Sequence, residues 1–73
     1  MAEVKIKTEV AGRVCSIATT VGISVGNGDD IMLVEAMKME IPVMSTAAGK
    51  IKSILVKVDD VLTEGQVVAV IET

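Results

Sequence analysis

The chain has 73 residues, seven basic against ten acidic for a net charge of −3, and no Phe, Tyr or Trp. That balance excludes a nucleic-acid binder, which needs a basic footprint and, for single strands, aromatic stacking platforms. A chain this short makes one small domain that buries about 60% of its unfolded surface. Its core must be built from Val, Ile, Leu, Ala and Met, and the valine and isoleucine excess favours strands.

The opening Met1-Ala2-Glu3-Val4-Lys5 has neither the apolar core of a signal peptide nor an arginine-rich transit segment. No uninterrupted apolar run approaches the length of a membrane span. The single cysteine, Cys15, cannot form an internal disulfide, so a reducing, cytoplasmic setting is expected. Val4 to Lys7 alternates apolar and charged residues, as a half-buried strand does. Gly12 to Ile17 is the next strand. Gly26-Asn27-Gly28-Asp29-Asp30 is a turn, where Gly supplies positive φ and Asn or Asp tolerates it. Ile31 to Met44 reads as a hairpin: two strand-like runs flank Ala36-Met37-Lys38, with the tip at Met37-Lys38. The tip lacks the Asn-Gly or Asp-Gly signal of a tight primed turn, so some requirement other than turn chemistry has set these residues. Pro42 on the outgoing strand suits an edge position. Gly49 to Val58 continues strand-like, with a bulge expected near Ser53, where the apolar spacing becomes odd. Thr63-Glu64-Gly65-Gln66 is a further turn, and Val67 to Glu72 the last strand.

Sliding the chain against itself by 37 residues aligns its halves without a gap. Ala11-Gly12 falls on Ala48-Gly49, Ser16-Ile17 on Ser53-Ile54, Val21 on Val58, Gly28 on Gly65, Glu3 on Glu40 and Glu35 on Glu72. The expectation is one domain over residues 1–73 made of half-repeats 1–36 and 38–73. Two copies are too few for a solenoid. An all-β, flattened antiparallel barrel or sandwich follows, with two pseudo-twofold halves of four short strands each. The hairpin tip would lie at one end and both termini at the other.

No enzyme site is visible. Without histidine and with one cysteine there is no zinc site, Ser-His-Asp triad or Cys-His pair. Gly49-Lys50-Ile51 lacks the Walker spacing. Asn27-Gly28-Asp29-Asp30 lacks the acidic ladder of a calcium loop. The expectation is a non-catalytic protein that holds no metal.

The hexapeptide Glu35-Ala36-Met37-Lys38-Met39-Glu40 resembles the attachment site of biotin carboxyl carrier proteins. Nearly the whole chain is similar to the biotinyl and lipoyl attachment domains, whose modified lysine sits on the hairpin joining two halves of a small barrel-sandwich. Met-Lys-Met marks the biotinyl branch; lipoyl domains typically carry Asp-Lys-Ala there. Gly28-Asp29 and Gly65-Gln66 match the family's glycine turns. Three departures stand out. Glu9-Val10-Ala11-Gly12 replaces the usual Pro-Met before the first strand glycine. The usual Gly-Asp after the second strand appears as Gly22-Ile23 in one half and Asp59-Asp60 in the other. The gapless repeat also leaves no room for the protruding loop of some bacterial carriers.

The resemblance implies covalent biotin on Lys38, with Glu35, Ala36, Met37, Met39 and Glu40 as flanking recognition residues. It further implies a monomeric carrier served by a biotin protein ligase. That carrier shuttles a carboxyl group between a biotin carboxylase and a carboxyltransferase of a multi-subunit, acyl-CoA type enzyme. A ligase presents biotinyl-adenylate, the Lys38 amine attacks it, and making that amine neutral falls to the ligase. Tethering then replaces diffusion of a free cofactor with a high local concentration.

Plainer readings stand beside these. Lys38 could be an ordinary solvated turn lysine, and Glu35 and Glu40 solvated strand-end charges. Met37 and Met39 are left open between packing onto the barrel end and touching partners. Cys15, aligned with Lys52, is expected to point outwards and to be structurally indifferent. A lipoyl carrier and an unmodified interaction module are the competing functions.

Overall fold

The computed structural model describes residues 2–73, and these form eight strands. They are β1 (Glu3–Lys7), β2 (Gly12–Ile17), β3 (Ser24–Val25), β4 (Asp30–Ala36), β5 (Met39–Met44), β6 (Gly49–Ile54), β7 (Val61–Leu62) and β8 (Val67–Glu72). The alternation of β1 is realised: Ile6 is buried while Glu3, Lys5 and Lys7 face solvent. The strand expected over Gly49 to Val58 is shorter, ending at Ile54. Leu55 and Val58 are half-exposed and Val58 lies in a turn, so the apolar run past Ile54 lines a crossing rather than a ladder. The bulge expected near Ser53 is present as a register shift between Ile51 and Ser53. Its counterpart, between Val14 and Ser16, places Cys15 at the bulge, half-buried with Sγ 3.9 Å from the Arg13 carbonyl oxygen. The two-residue strands β3 and β7 carry no periodic signal and are held by β6 and β2.

The strands form two four-stranded antiparallel sheets, ordered β1-β8-β6-β3 and β5-β4-β2-β7. Adding 37 to the residue numbers carries β2 onto β6 and β3 onto β7, and converts the first order into the second. Neither sheet is a half-repeat; each takes two strands from each half, so the halves are interlocked. The connecting hydrogen bonds repeat in the same way. Thr8 N–H donates to the Gln66 carbonyl and Ser45 N–H to that of Asp29. Gly22 N–H donates to the Ile51 carbonyl and Asp59 N–H to that of Val14. The buried hydroxyls of Thr8 and Ser45 each close a local turn on the carbonyl two residues ahead, at 2.8 and 2.5 Å.

The core is aliphatic and twofold. Ile6 matches Val43, Val14 matches Ile51, Val25 matches Leu62, Ile31 matches Val68, Met32 matches Ala69 and Val34 matches Ile71, all buried. Val56 is the exception, because its counterpart is Thr19. Thr19 Oγ1 is the one buried side-chain polar atom among the described residues without a hydrogen-bond partner.

Two glycines let the backbones close. A Cβ on Gly12 would stand 2.3 Å from the Glu35 carbonyl oxygen, and one on Gly49 2.6 Å from that of Glu72. A strand of six or seven residues spans about 20–24 Å, whereas the body is 37 Å long and 18 Å across. The sheets are therefore offset. The β4–β5 hairpin projects at one end, and the paired ends of β1 and β8, tied by Thr73 N–H to the Ala2 carbonyl, project at the other.

Candidate functional site

The projecting hairpin carries the hexapeptide. Six register pairs zip β4 to β5, ending with Ala36 opposite Met39, so Met37 and Lys38 alone make the turn. Both adopt left-handed backbone, with φ of 54° and 64°. Positive φ at both central residues is the type I′ pattern, whose twist matches that of paired strands and which normally takes Asn-Gly. A tight primed turn thus forms without the residues that favour it. Left-handed backbone costs about 1–2 kcal/mol for each ordinary L-residue. It persists because the paired strands on either side over-determine the turn.

The stem that holds this turn is rigid. β4 lies between β5 and β2, and Ile31, Met32 and Val34 pin it to the core. Gly12 admits the Glu35 backbone at close range. Arg13 on β2 donates to the Glu35 carboxylate at 3.3 Å and to Asp59 at 2.5 Å, tying the stem to the turn after β6. Those two hydrogen bonds, Glu35 first, and the carboxylate charges behind them raise the Arg13 pKa. At the far end Lys52 pairs with Glu3, whose carboxyl is held below its ordinary range by that hydrogen bond and by the ammonium charge.

Lys38 is exposed, and its amine makes no hydrogen bond or ion pair with a described residue. Met37 is 93% and Met39 63% exposed. Neither packs onto the barrel end: Met37 lies in the turn itself, where period-two facing no longer applies. Glu35 and Glu40 are directly opposite each other and exposed, and Ala36 is half-buried. The six residues of the motif therefore stay together at one tip. Asp59 and Val61, two exposed residues linked to its stem through Arg13, escaped sequence reasoning because the pairing of β7 with β2 that brings them there has no local signal in the sequence.

The arrangement presents an amine to solvent. The surface cleft lined by Lys7, Val10, Pro42, Val43 and Thr46 does not include Lys38. An acyl group on the Lys38 amine would meet open solvent and two flexible thioethers, so the tip fits a long, tethered cofactor.

Comparison with known proteins agrees. The family described as biotin-requiring enzyme matches residues 5–71. The biotinylated protein TB7.3 homolog of Mycobacterium leprae (strain TN) is 39% identical over 66 residues, covering 90% of this chain and 93% of that one. The crystal structure of the Kluyveromyces lactis urea carboxylase superposes with a TM-score of 0.93 at 36% identity, over 99% of this chain and 6% of that chain. A single-chain, multi-domain long-chain acyl-CoA carboxylase gives 0.86 at 25% identity, over 93% of this chain and 7% of that chain. The two carboxylases are thus far longer, and this chain corresponds to one small part of each. A tip built around Met37-Lys38, on a fold shared with these proteins and within a family match spanning almost the whole sequence, places the chain in the biotin-requiring enzyme family, in its biotinyl branch.

Proposed function

We propose that this chain is a biotin carboxyl carrier and that Lys38 is the residue biotinylated. The observation that carries the reading is the tip: an exposed, unpaired lysine in a two-residue turn held in unfavourable backbone. A solvated turn lysine needs no such geometry. Attachment is acyl transfer from biotinyl-adenylate, supplied by a biotin protein ligase. The Lys38 nitrogen forms an amide bond to the biotin carbonyl carbon, the bond from that carbon to phosphate oxygen breaks, and AMP leaves. The ammonium protons pass to the ligase or to solvent. This chain contributes position, and catalysis resides in its partners.

Once attached, the ureido ring carries a carboxyl group from a biotin carboxylase to a carboxyltransferase. The stem holds the arm clear of the body, and Met37 and Met39 give each partner a soft contact surface. Glu35, Ala36 and Glu40 complete the flanking recognition set. The resemblance to acyl-CoA type carriers favours an acyl-CoA carboxylase assembled from separate subunits, with residues 1–73 as one monomeric carrier domain acting in the cytoplasm.

Intact-mass analysis of protein made with a biotin ligase tests the reading. A single biotin increment is expected, lost in Lys38→Ala. An unmodified wild-type mass would overturn it, and a lipoyl increment would reassign the chain to the sister branch.

A further inference from the structure

The internal repeat supplies a reference for what the fold requires at each position. After β2 the chain turns at Gly22, with φ of 92°, and donates its N–H to Ile51; after β6 it turns at Asp59, with φ of 78°, and donates to Val14. The two turns do the same structural work, yet only the first uses glycine. Aspartate tolerates the left-handed region, though less readily than glycine. What Asp59 adds is a carboxylate, which glycine at the matching turn does not offer.

Its surroundings indicate what that carboxylate does. Asp59 bonds Arg13, which also bonds Glu35 on the hairpin stem, while its own side chain stays 74% exposed. Along the outer face of the sheet, Val61 lies opposite Arg13, Arg13 opposite Glu35, and Glu35 opposite Glu40. Val61 is 77% exposed, and its counterpart at the other end is Ser24. At the lysine end, an apolar side chain and a carboxylate thus replace serine and glycine. Glu35, Glu40 and Asp59 against Arg13 leave the patch net acidic. It runs across the sheet from β5 to β7.

We propose that this patch, with Asp59 and Val61 as its specificity-determining residues outside the hairpin, docks the biotin ligase. The inference rests on Lys38 being the attachment site. The ligase must choose Lys38 from six lysines by the protein surface alone. A partner that meets the modified chain can recognise biotin itself. The ligase must bind ATP and then the anionic adenylate made from it, which calls for basic groups about its active site, and these would complement an acidic rim.

The test measures biotinylation of the whole chain by ligase, comparing wild type with Asp59→Gly, Val61→Ser and their double variant. These changes install the residues of the other half. The double variant should lose about five- to tenfold in kcat/KM, with a flatter salt dependence and no loss of thermal stability. Ser24→Val, the reciprocal change at the far end, should leave kcat/KM unaltered. Carboxylation of the biotinylated double variant by biotin carboxylase should match wild type. Wild-type biotinylation kinetics in the double variant would overturn the proposal, as would a defect confined to carboxylation. If wild type itself gains no biotin, the attachment reading falls first and this one with it.

Discussion

Two residues, Met37 and Lys38, hold left-handed backbone where Asn and Gly would be at ease. The domain is thus less stable than its tip allows, and the deficit belongs to the residues proposed to meet partners. Met37→Asn should raise stability by about 0.5–1 kcal/mol, because Asn tolerates this region far better. For a domain this size that is an increase of about 2–8 °C in Tm. The same variant should be biotinylated more slowly, having lost an apolar contact that is 93% exposed in the free protein. Thermal unfolding and ligase kinetics on one preparation check both halves of the prediction. An unchanged rate would mean that Met37 serves neither fold nor recognition.

At the scale of elements, the hairpin is held by what lies beneath it. Gly12 on β2 admits β4 so closely that a methyl group there would overlap the Glu35 carbonyl oxygen and the Val34 side chain, at 2.3 and 2.8 Å. Gly12→Ala should therefore destabilise by about 1–3 kcal/mol, since the obstacle is backbone in a packed sheet. Gly49→Ala meets Glu72 and Ile71 in the same way and should lose a similar amount. The two should differ in function, because only Gly12 underlies the stem of the tip. Amide exchange along β4 and β5 should rise more in Gly12→Ala than in Gly49→Ala, and equal protection would contradict the assignment. Most element boundaries were legible in the sequence: β2 and β8 fall on the expected residues. Two expectations at this scale yielded to long-range pairing. Val58 looks like strand because it is apolar and in period, but it lies beyond the last partner of β6. The primed turn at Met37-Lys38 had no local signal, because paired strands imposed it.

At the scale of the whole molecule, the twofold core has one flaw. Thr19 occupies the place of Val56 and buries a hydroxyl oxygen with no partner. Thr19→Val, which restores the symmetry, removes that desolvation penalty and should stabilise by about 1 kcal/mol. In urea titrations the midpoint should rise with an unchanged slope. A lower midpoint would show that the hydroxyl is satisfied in solution. The fold's offset sheets also explain why one end can be elaborated without disturbing the other.

The sequence by itself determined the strand-forming composition, the 37-residue repeat, the aliphatic make-up of the core and the motif around Lys38. These are local or periodic properties, written in spacing and side-chain type. Only the tertiary structure decided how the two copies interlock, because an antiparallel ladder is set by which distant edges meet and not by either edge alone. The structure also decided that Met37 and Met39 face solvent, since pairing ends at Ala36 and Met39 and leaves the turn no surface to pack against. Finally, it placed Asp59 and Val61 on Arg13, which in turn bonds Glu35 on the stem of the lysine hairpin. That neighbourhood exists because β7, from the second half, pairs with β2 of the first.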